Sequence, residues 1–126
     1  MGGPLTAVAV FAVVAGVAML GLWTMLLAAR QVPEVAEGDR EIWFHIGAEV
    51  VAAIMLVAGG VWLVASAGTA GARILAAAGL GAMLYSCIAG SGYYVKQGKA
   101  GPVVMFSVLA ALAIAALVVL ARASGA

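Results

Sequence analysis

Four long apolar segments, separated by short polar ones, account for most of the chain. They cover residues 5–29, 42–66, 72–95 and 102–121, and each is long enough for a transmembrane helix, which needs about 20 apolar residues. The short alternating segments that mark a transmembrane β-barrel are missing from the sequence. The pattern therefore predicts an all-α integral membrane protein, with residues 1–126 forming a single four-helix transmembrane bundle of up-down-up-down topology.

The polar segments fall into two groups under this topology. The acidic segment 31–41 and the basic segment 96–101 are expected on one side of the membrane, with both termini and the small-residue turn 67–71 on the other. The first side carries four basic residues against two on the opposite side: Arg30, Arg40, Lys96 and Lys99 against Arg73 and Arg122. Because basic loops tend to stay in the cytoplasm, the side that carries the two charged loops is predicted to be cytoplasmic.

Composition supports a membrane protein and removes several other classes. The chain is 67% hydrophobic and 9% charged, far from the roughly one quarter of charged residues typical of soluble domains. A formal net charge of +1 gives no basis for a nucleic-acid partner, so the lipid bilayer is the first expected partner. The single cysteine, Cys87, excludes an intrachain disulfide.

One histidine and one carboxylate are predicted inside the membrane. His45 and Glu49 are four residues apart on the second segment, so they share a helix face and can touch. Glu49 would lie on the order of 10 Å below the helix end, where an ionisable group is costly unless it is paired, protonated or facing water. Polar side chains at comparable depth extend the candidate ligand- or proton-binding site to six residues: His45, Glu49, Thr24, Ser86, Cys87 and Ser107.

Two interpretations of this polar layer concern Glu49 directly. In the first, Glu49 is part of a structural hydrogen-bond network with His45 and with Thr24, Ser86 or Ser107 of other helices. In the second, it is an ion- or proton-coupled transport or small-ligand site in which Glu49 changes protonation and His45 tunes it. A single membrane carboxylate in a chain of this size resembles the small multidrug-resistance exporters. Their acid lies in the first span, whereas Glu49 lies in the second, so their mechanism is not carried over.

Two further interpretations stay open. A haem or quinone site would use His45, with Met25, Met105 or the histidine of a second subunit as the other haem ligand. Copper could use His45, Cys87 and methionine sulfurs, although one histidine and one carboxylate fall short of the three protein ligands of a zinc-type site. Alternatively, the chain is a non-catalytic structural or accessory subunit of a larger membrane complex. The cofactor and any metal are therefore left unassigned.

The sequence contains little that indicates catalysis or self-association. The sequence offers no Ser/His/Asp set, no carboxylate pair within one span and no Cys-x-x-Cys motif, so we do not expect an enzyme. Small residues four apart in the third segment, Ala78, Ala82, Ser86 and Gly90, predict a face that seats another helix. That helix could belong to the same bundle or to a homo-oligomer.

Overall fold

Four long helices and one short helix make up the fold. A computed structural model describes residues 3–123. The helices are α1 (Gly3–Ala28), α2 (Pro33–Ala36), α3 (Glu41–Ala65), α4 (Ala70–Lys96) and α5 (Ala100–Ala123), and this part of the chain contains no strand. All except α2 are long and apolar enough to cross a membrane. The predicted all-helical chain with four long apolar helices is confirmed, and the bounds of these helices differ by one or two residues.

The connections differ from the prediction in two places. The acidic segment contains the one-turn helix α2, which begins at Pro33, where only a loop was expected. Pro102 was expected as the first residue of the last helix but is the third residue of α5. Both prolines lie in a first turn, where backbone N–H groups have no intrahelical acceptor, so the missing N–H costs no hydrogen bond.

Two of the long helices end in the same way, with a left-handed residue after the last turn. Gly98 follows α4 with a φ of 71°, and the next N–H, of Lys99, donates to the Tyr94 carbonyl at 3.0 Å. Arg30 follows α1 with a φ of 55°, and the N–H of Gln31 donates to the Leu26 carbonyl at 2.9 Å. This is the Schellman arrangement, for which glycine is the usual residue. Arg30 adopts the left-handed conformation at some steric cost.

The two charged connections meet at one end of the bundle. The Tyr93 hydroxyl near the end of α4 donates to Oε1 of Glu34 in α2 at 2.8 Å. We call this the loop end, and the opposite end, which holds the beginning of α1 and the end of α5, the terminal end. The contact links residues 59 positions apart.

Helix α3 packs against both α1 and α4, and α5 packs mainly against α4. Two glycines allow the backbones to approach closely. A Cβ on Gly16 of α1 would lie 2.7 Å from the Ala53 carbonyl oxygen of α3, and one on Gly79 of α4 would lie 2.9 Å from the Leu56 nitrogen of α3. Small residues at such contacts are the usual basis of helix association in lipid.

The small-residue stripe predicted on α4 does not form one interface. Ala78 is exposed, Ser86 faces α3, and Gly90 lies against the ring of Phe106 in α5. The buried positions of α4 follow another line: Ala72, Ala76, Gly79, Leu80, Met83 and Cys87. Alanine and glycine are so frequent here that a four-residue period occurs on several faces, and only the rotation of the helix selects the contact face.

Burial is uneven along the bundle. The buried residues of α1 all lie between Leu5 and Gly16, and those of α5 are Ala113, Ala116 and Leu120. Apart from Gly16, these residues belong to one core cluster that also includes Leu56, Leu63 and Leu80. Helices α1 and α5 therefore contribute to the core at the terminal end, and their loop-end halves contain no buried residue in the described chain.

Candidate functional site

Glu49 lies on the stripe of α3 that faces the centre of the bundle. Leu56 and Leu63 follow it at intervals of seven residues, about two helical turns, and both are completely buried. The same stripe therefore carries leucine through the core and a carboxylate towards the loop end. Only 15% of the Glu49 side chain is exposed.

Three side chains from three helices contact the Glu49 carboxylate. The indole Nε1 of Trp23 in α1 donates to Oε2 at 2.9 Å. The Ser86 hydroxyl of α4 donates to Oε1 at 2.7 Å. The Nε2 of His45, one turn earlier in α3, lies 2.9 Å from Oε2. Glu49 thus joins α1, α3 and α4 near the loop end.

His45 lies between Glu49 and the exterior of the loop end. Its side chain is 48% exposed, against 15% for Glu49. The Trp23 ring meets the imidazole edge to face, with centroids 6.0 Å apart and an interplanar angle of 74°. The indole therefore holds the position of both residues, through a hydrogen bond to one and ring contact with the other.

The two carboxylate oxygens differ in what their partners can do. The indole N–H is a donor only, so Oε2 must remain an acceptor towards Trp23. The partner of Oε1 is a hydroxyl, which can donate or accept. A proton placed on Oε1 can be donated to the Ser86 oxygen, so the site can hold a charged or a neutral carboxyl group without losing a partner.

The other predicted site residues, within the described chain, make no hydrogen bond to Glu49. The Thr24 hydroxyl donates to the Leu20 carbonyl of its own helix at 2.7 Å. Ser107 is exposed on α5, a helix that does not pack against α3 within the described chain. Cys87 is 4% exposed within the core cluster, and its backbone carbonyl accepts the Ser91 hydroxyl.

Trp23 was not among the residues predicted for the site. Its neighbour Thr24 was predicted because of its depth in the membrane. Adjacent residues point about 100° apart around a helix axis, so a shared depth does not mean a shared face. A signal was available in the chemistry, because a tryptophan N–H buried in lipid needs an acceptor and Glu49 is the one carboxylate at that depth.

The metal-site interpretations find limited support in the geometry. Across residues 3–123, no group of three or more His, Cys, Asp or Glu side chains is arranged to hold a metal ion. The Nε2 of His45 already lies against Glu49, so a haem ligand at that nitrogen would have to give up this contact. Met25 and Met105, the proposed partner ligands, are 58% and 47% exposed.

Comparison with known proteins yields one match. Residues 5–125 match a family described as a domain of unknown function, DUF8058. No curated protein and no solved structure matches the chain.

Proposed function

The chain belongs to the DUF8058 family, and from its site we propose that it is a proton-coupled membrane protein, with Glu49 as the group that takes up and releases the proton. The coupled event is the transport or binding of a small ligand near the loop end. One observation carries the proposal. Glu49 lies on the core-facing stripe of a membrane-length helix, and its Oε2 accepts a hydrogen bond from the Trp23 indole. Its Oε1 is bonded to the Ser86 hydroxyl, a group that can donate or accept.

The proposal includes insertion of α1, α3, α4 and α5 in the bilayer with up-down-up-down topology. Contacts along α1 and α3 support the antiparallel arrangement. Gly16 lies against Ala53, whereas Gly60, further along α3, lies against the earlier residue Ala9. The loop end is proposed to face the cytoplasm, as the count of basic residues favours.

His45 is proposed as the proton route between Glu49 and the water at the loop end. Imidazole changes charge near neutral pH more readily than any other side chain in its ordinary state. His45 is half-exposed, and its Nε2 is within hydrogen-bond distance of Glu49 Oε2. A proton can therefore reach the carboxylate at Oε2 from the loop end without crossing the apolar core, because a protonated Oε2 can still accept from the Trp23 indole through a lone pair.

The test uses Trp23 as an internal reporter. Replacing Trp43 and Trp62 with Phe leaves Trp23 as the only tryptophan, and its indole is bonded to the carboxylate. With His45 replaced by Gln in addition, so that the imidazole next to the indole cannot contribute, we expect the fluorescence to change with pH and Glu49→Gln to abolish that change. Glu37→Gln, in the acidic connection, is the matched control and should leave the titration intact.

The same variants are then measured for flux. Purified protein is reconstituted in liposomes that contain a pH-sensitive dye, and an inward proton gradient is imposed. Proton entry that exceeds that of empty liposomes and is lost in Glu49→Gln would support transport. A pH-dependent Trp23 signal without flux would support ligand binding coupled to protonation.

A second candidate is a non-catalytic subunit of a larger membrane assembly, and one observation favours it. No buried side-chain nitrogen or oxygen in the described part of the chain lacks a hydrogen-bond partner, as expected of a static network. This candidate predicts a Trp23 signal that does not respond to pH and a Glu49→Gln variant that only lowers thermal stability. That result would overturn the proton-coupled proposal.

A further inference from the structure

A groove lies between α4 and α5 at the terminal end, remote from the Glu49 site. Its volume is about 440 Å³. Its lining is apolar except for one arginine: Arg73, Ile74 and Ala77 from α4, and Leu117, Leu120 and Ala121 from α5. The groove thus combines a single cation with a surface suited to a hydrocarbon chain.

Arg73 is held in place at the groove. Its Nε–H donates to the backbone carbonyl of Ala67 at 2.9 Å. A guanidinium has five N–H donors, so this contact leaves the two terminal nitrogens for another acceptor. Their planar arrangement matches two oxygens of a phosphate group.

The chain has no acidic side chain to neutralise this end. All five Asp and Glu residues lie between positions 34 and 49. The terminal end carries Arg73 and also Arg122, which follows the groove residue Ala121 in the chain. A second copy in the same membrane orientation would bring arginine, and no acidic side chain, to the same level.

We propose that this groove binds one anionic phospholipid, with its phosphate on Arg73 and an acyl chain along Ile74, Ala77 and Leu117. The apolar lining favours a lipid over free phosphate, because free phosphate would cover none of it. Arg73 in the groove, with Arg122 at the same end of the bundle, favours a net negative headgroup over a zwitterionic one, which carries a cation of its own. The proposal depends on insertion in a bilayer and is independent of proton coupling at Glu49.

The test is lipid retention by native mass spectrometry. The full chain is placed in nanodiscs that contain equal amounts of phosphatidylglycerol and phosphatidylcholine, and the lipids that remain bound after release are counted. We expect the protein to retain phosphatidylglycerol preferentially. Arg73→Gln should reduce this preference roughly fivefold, the scale expected for one basic residue at a membrane surface.

Four further variants separate the groove from other effects. Lys99→Gln removes one positive charge at the loop end and should retain the preference, as should Glu49→Gln. Arg73→Lys keeps the positive charge but removes the guanidinium that contacts Ala67, and it should retain part of the lipid preference. A retained preference would show that the charge binds the phosphate and that the Ala67 contact is not the cause. Ala121→Phe adds bulk at an exposed groove position and should reduce retention of the lipid without changing any charge.

Three results would overturn the inference. The first is equal phosphatidylglycerol enrichment in Arg73→Gln and in the unmodified chain. The second is displacement of the lipid by inorganic phosphate, which would reassign the site to a free anion. The third is a dimer that Ala121→Phe dissociates, which would show that a second copy fills the groove.

Discussion

At the level of single residues, the Glu49 site depends on which hydroxyl reaches the carboxylate. Ser86 donates to Oε1 of Glu49 across the α3–α4 contact, whereas the Thr24 hydroxyl donates to the Leu20 carbonyl within α1. Both residues were predicted at similar depth, yet only the Ser86 hydroxyl makes a hydrogen bond to another helix. Their removal should therefore have different consequences.

Ser86→Ala should destabilise the fold more than Thr24→Ala. Hydrogen bonds between membrane helices contribute about 0.6 kcal/mol on average and at most about 1.7 kcal/mol, so a loss in this range is expected for Ser86→Ala. Thr24→Ala removes only a bond to the backbone of its own helix and should cost less. Reversible unfolding of purified protein by a denaturing detergent, in mixed micelles, measures both. Equal losses would contradict the assigned contacts.

The sequence predicted the chemistry of the site better than it predicted which residues form it. The four-residue spacing of His45 and Glu49 was enough to expect their contact, because that spacing fixes a shared helix face. Ser86 could be proposed from depth alone. The selection of Trp23 over Thr24 requires the rotation of α1 about its axis. The apolar pattern carries little information about that rotation, because α1 is apolar on all sides, so only the need of the indole N–H for an acceptor indicates Trp23.

At the level of helices, the same limit applies to packing. Four membrane-length segments could be predicted because apolar length is a strong signal, and their bounds agree within two residues. The face of α4 that contacts other helices could not be predicted, because small residues lie on several of its faces. Gly79 and Gly81 are two residues apart, and only the first meets another backbone.

Only Gly79→Ala, and not Gly81→Ala, should therefore destabilise the protein. A Cβ at position 79 would lie 2.9 Å from the Leu56 nitrogen, and the backbone of α3 would have to shift. Overpacking of this kind typically costs about 1–3 kcal/mol. A Cβ at position 81 meets nothing within 4 Å, and alanine favours a helix over glycine by up to about 1 kcal/mol.

The two substitutions form a matched pair in one helix, with the same chemical change. Thermal unfolding of purified protein, followed by loss of helical circular dichroism, gives the order of stability. The expected order is Gly81→Ala equal to or above the unmodified chain, with Gly79→Ala below both. A Gly79→Ala variant as stable as Gly81→Ala would mean that α3 and α4 are further apart than described.

At the level of the whole molecule, both proposals depend on insertion and topology. The proton route through His45 needs water at the loop end, and the lipid groove needs a headgroup layer at the terminal end. Three positions distinguish these ends. Glu37 and Gln97 lie at the loop end in the acidic and basic connections, and Gly68 lies in the turn between α3 and α4.

A cysteine added at each of these three positions should react with a membrane-impermeant maleimide according to the side of the membrane on which it lies. Glu37→Cys and Gln97→Cys are expected to react in inside-out vesicles and to be protected in intact cells. Gly68→Cys should show the reverse. The parent chain is the control, because its single cysteine, Cys87, is only 4% exposed and should react little from either side.

The possible outcomes separate topology from orientation. If Glu37 and Gln97 react together and Gly68 reacts from the opposite side, the up-down-up-down arrangement holds, whichever side is cytoplasmic. If Glu37→Cys and Gln97→Cys react from outside, the orientation predicted from the count of basic residues is wrong. The proton route then opens to the exterior of the cell. If all three react from one side, the four helices do not each cross the membrane. The Glu49 site and the Arg73 groove would then both lose the bilayer on which their chemistry depends.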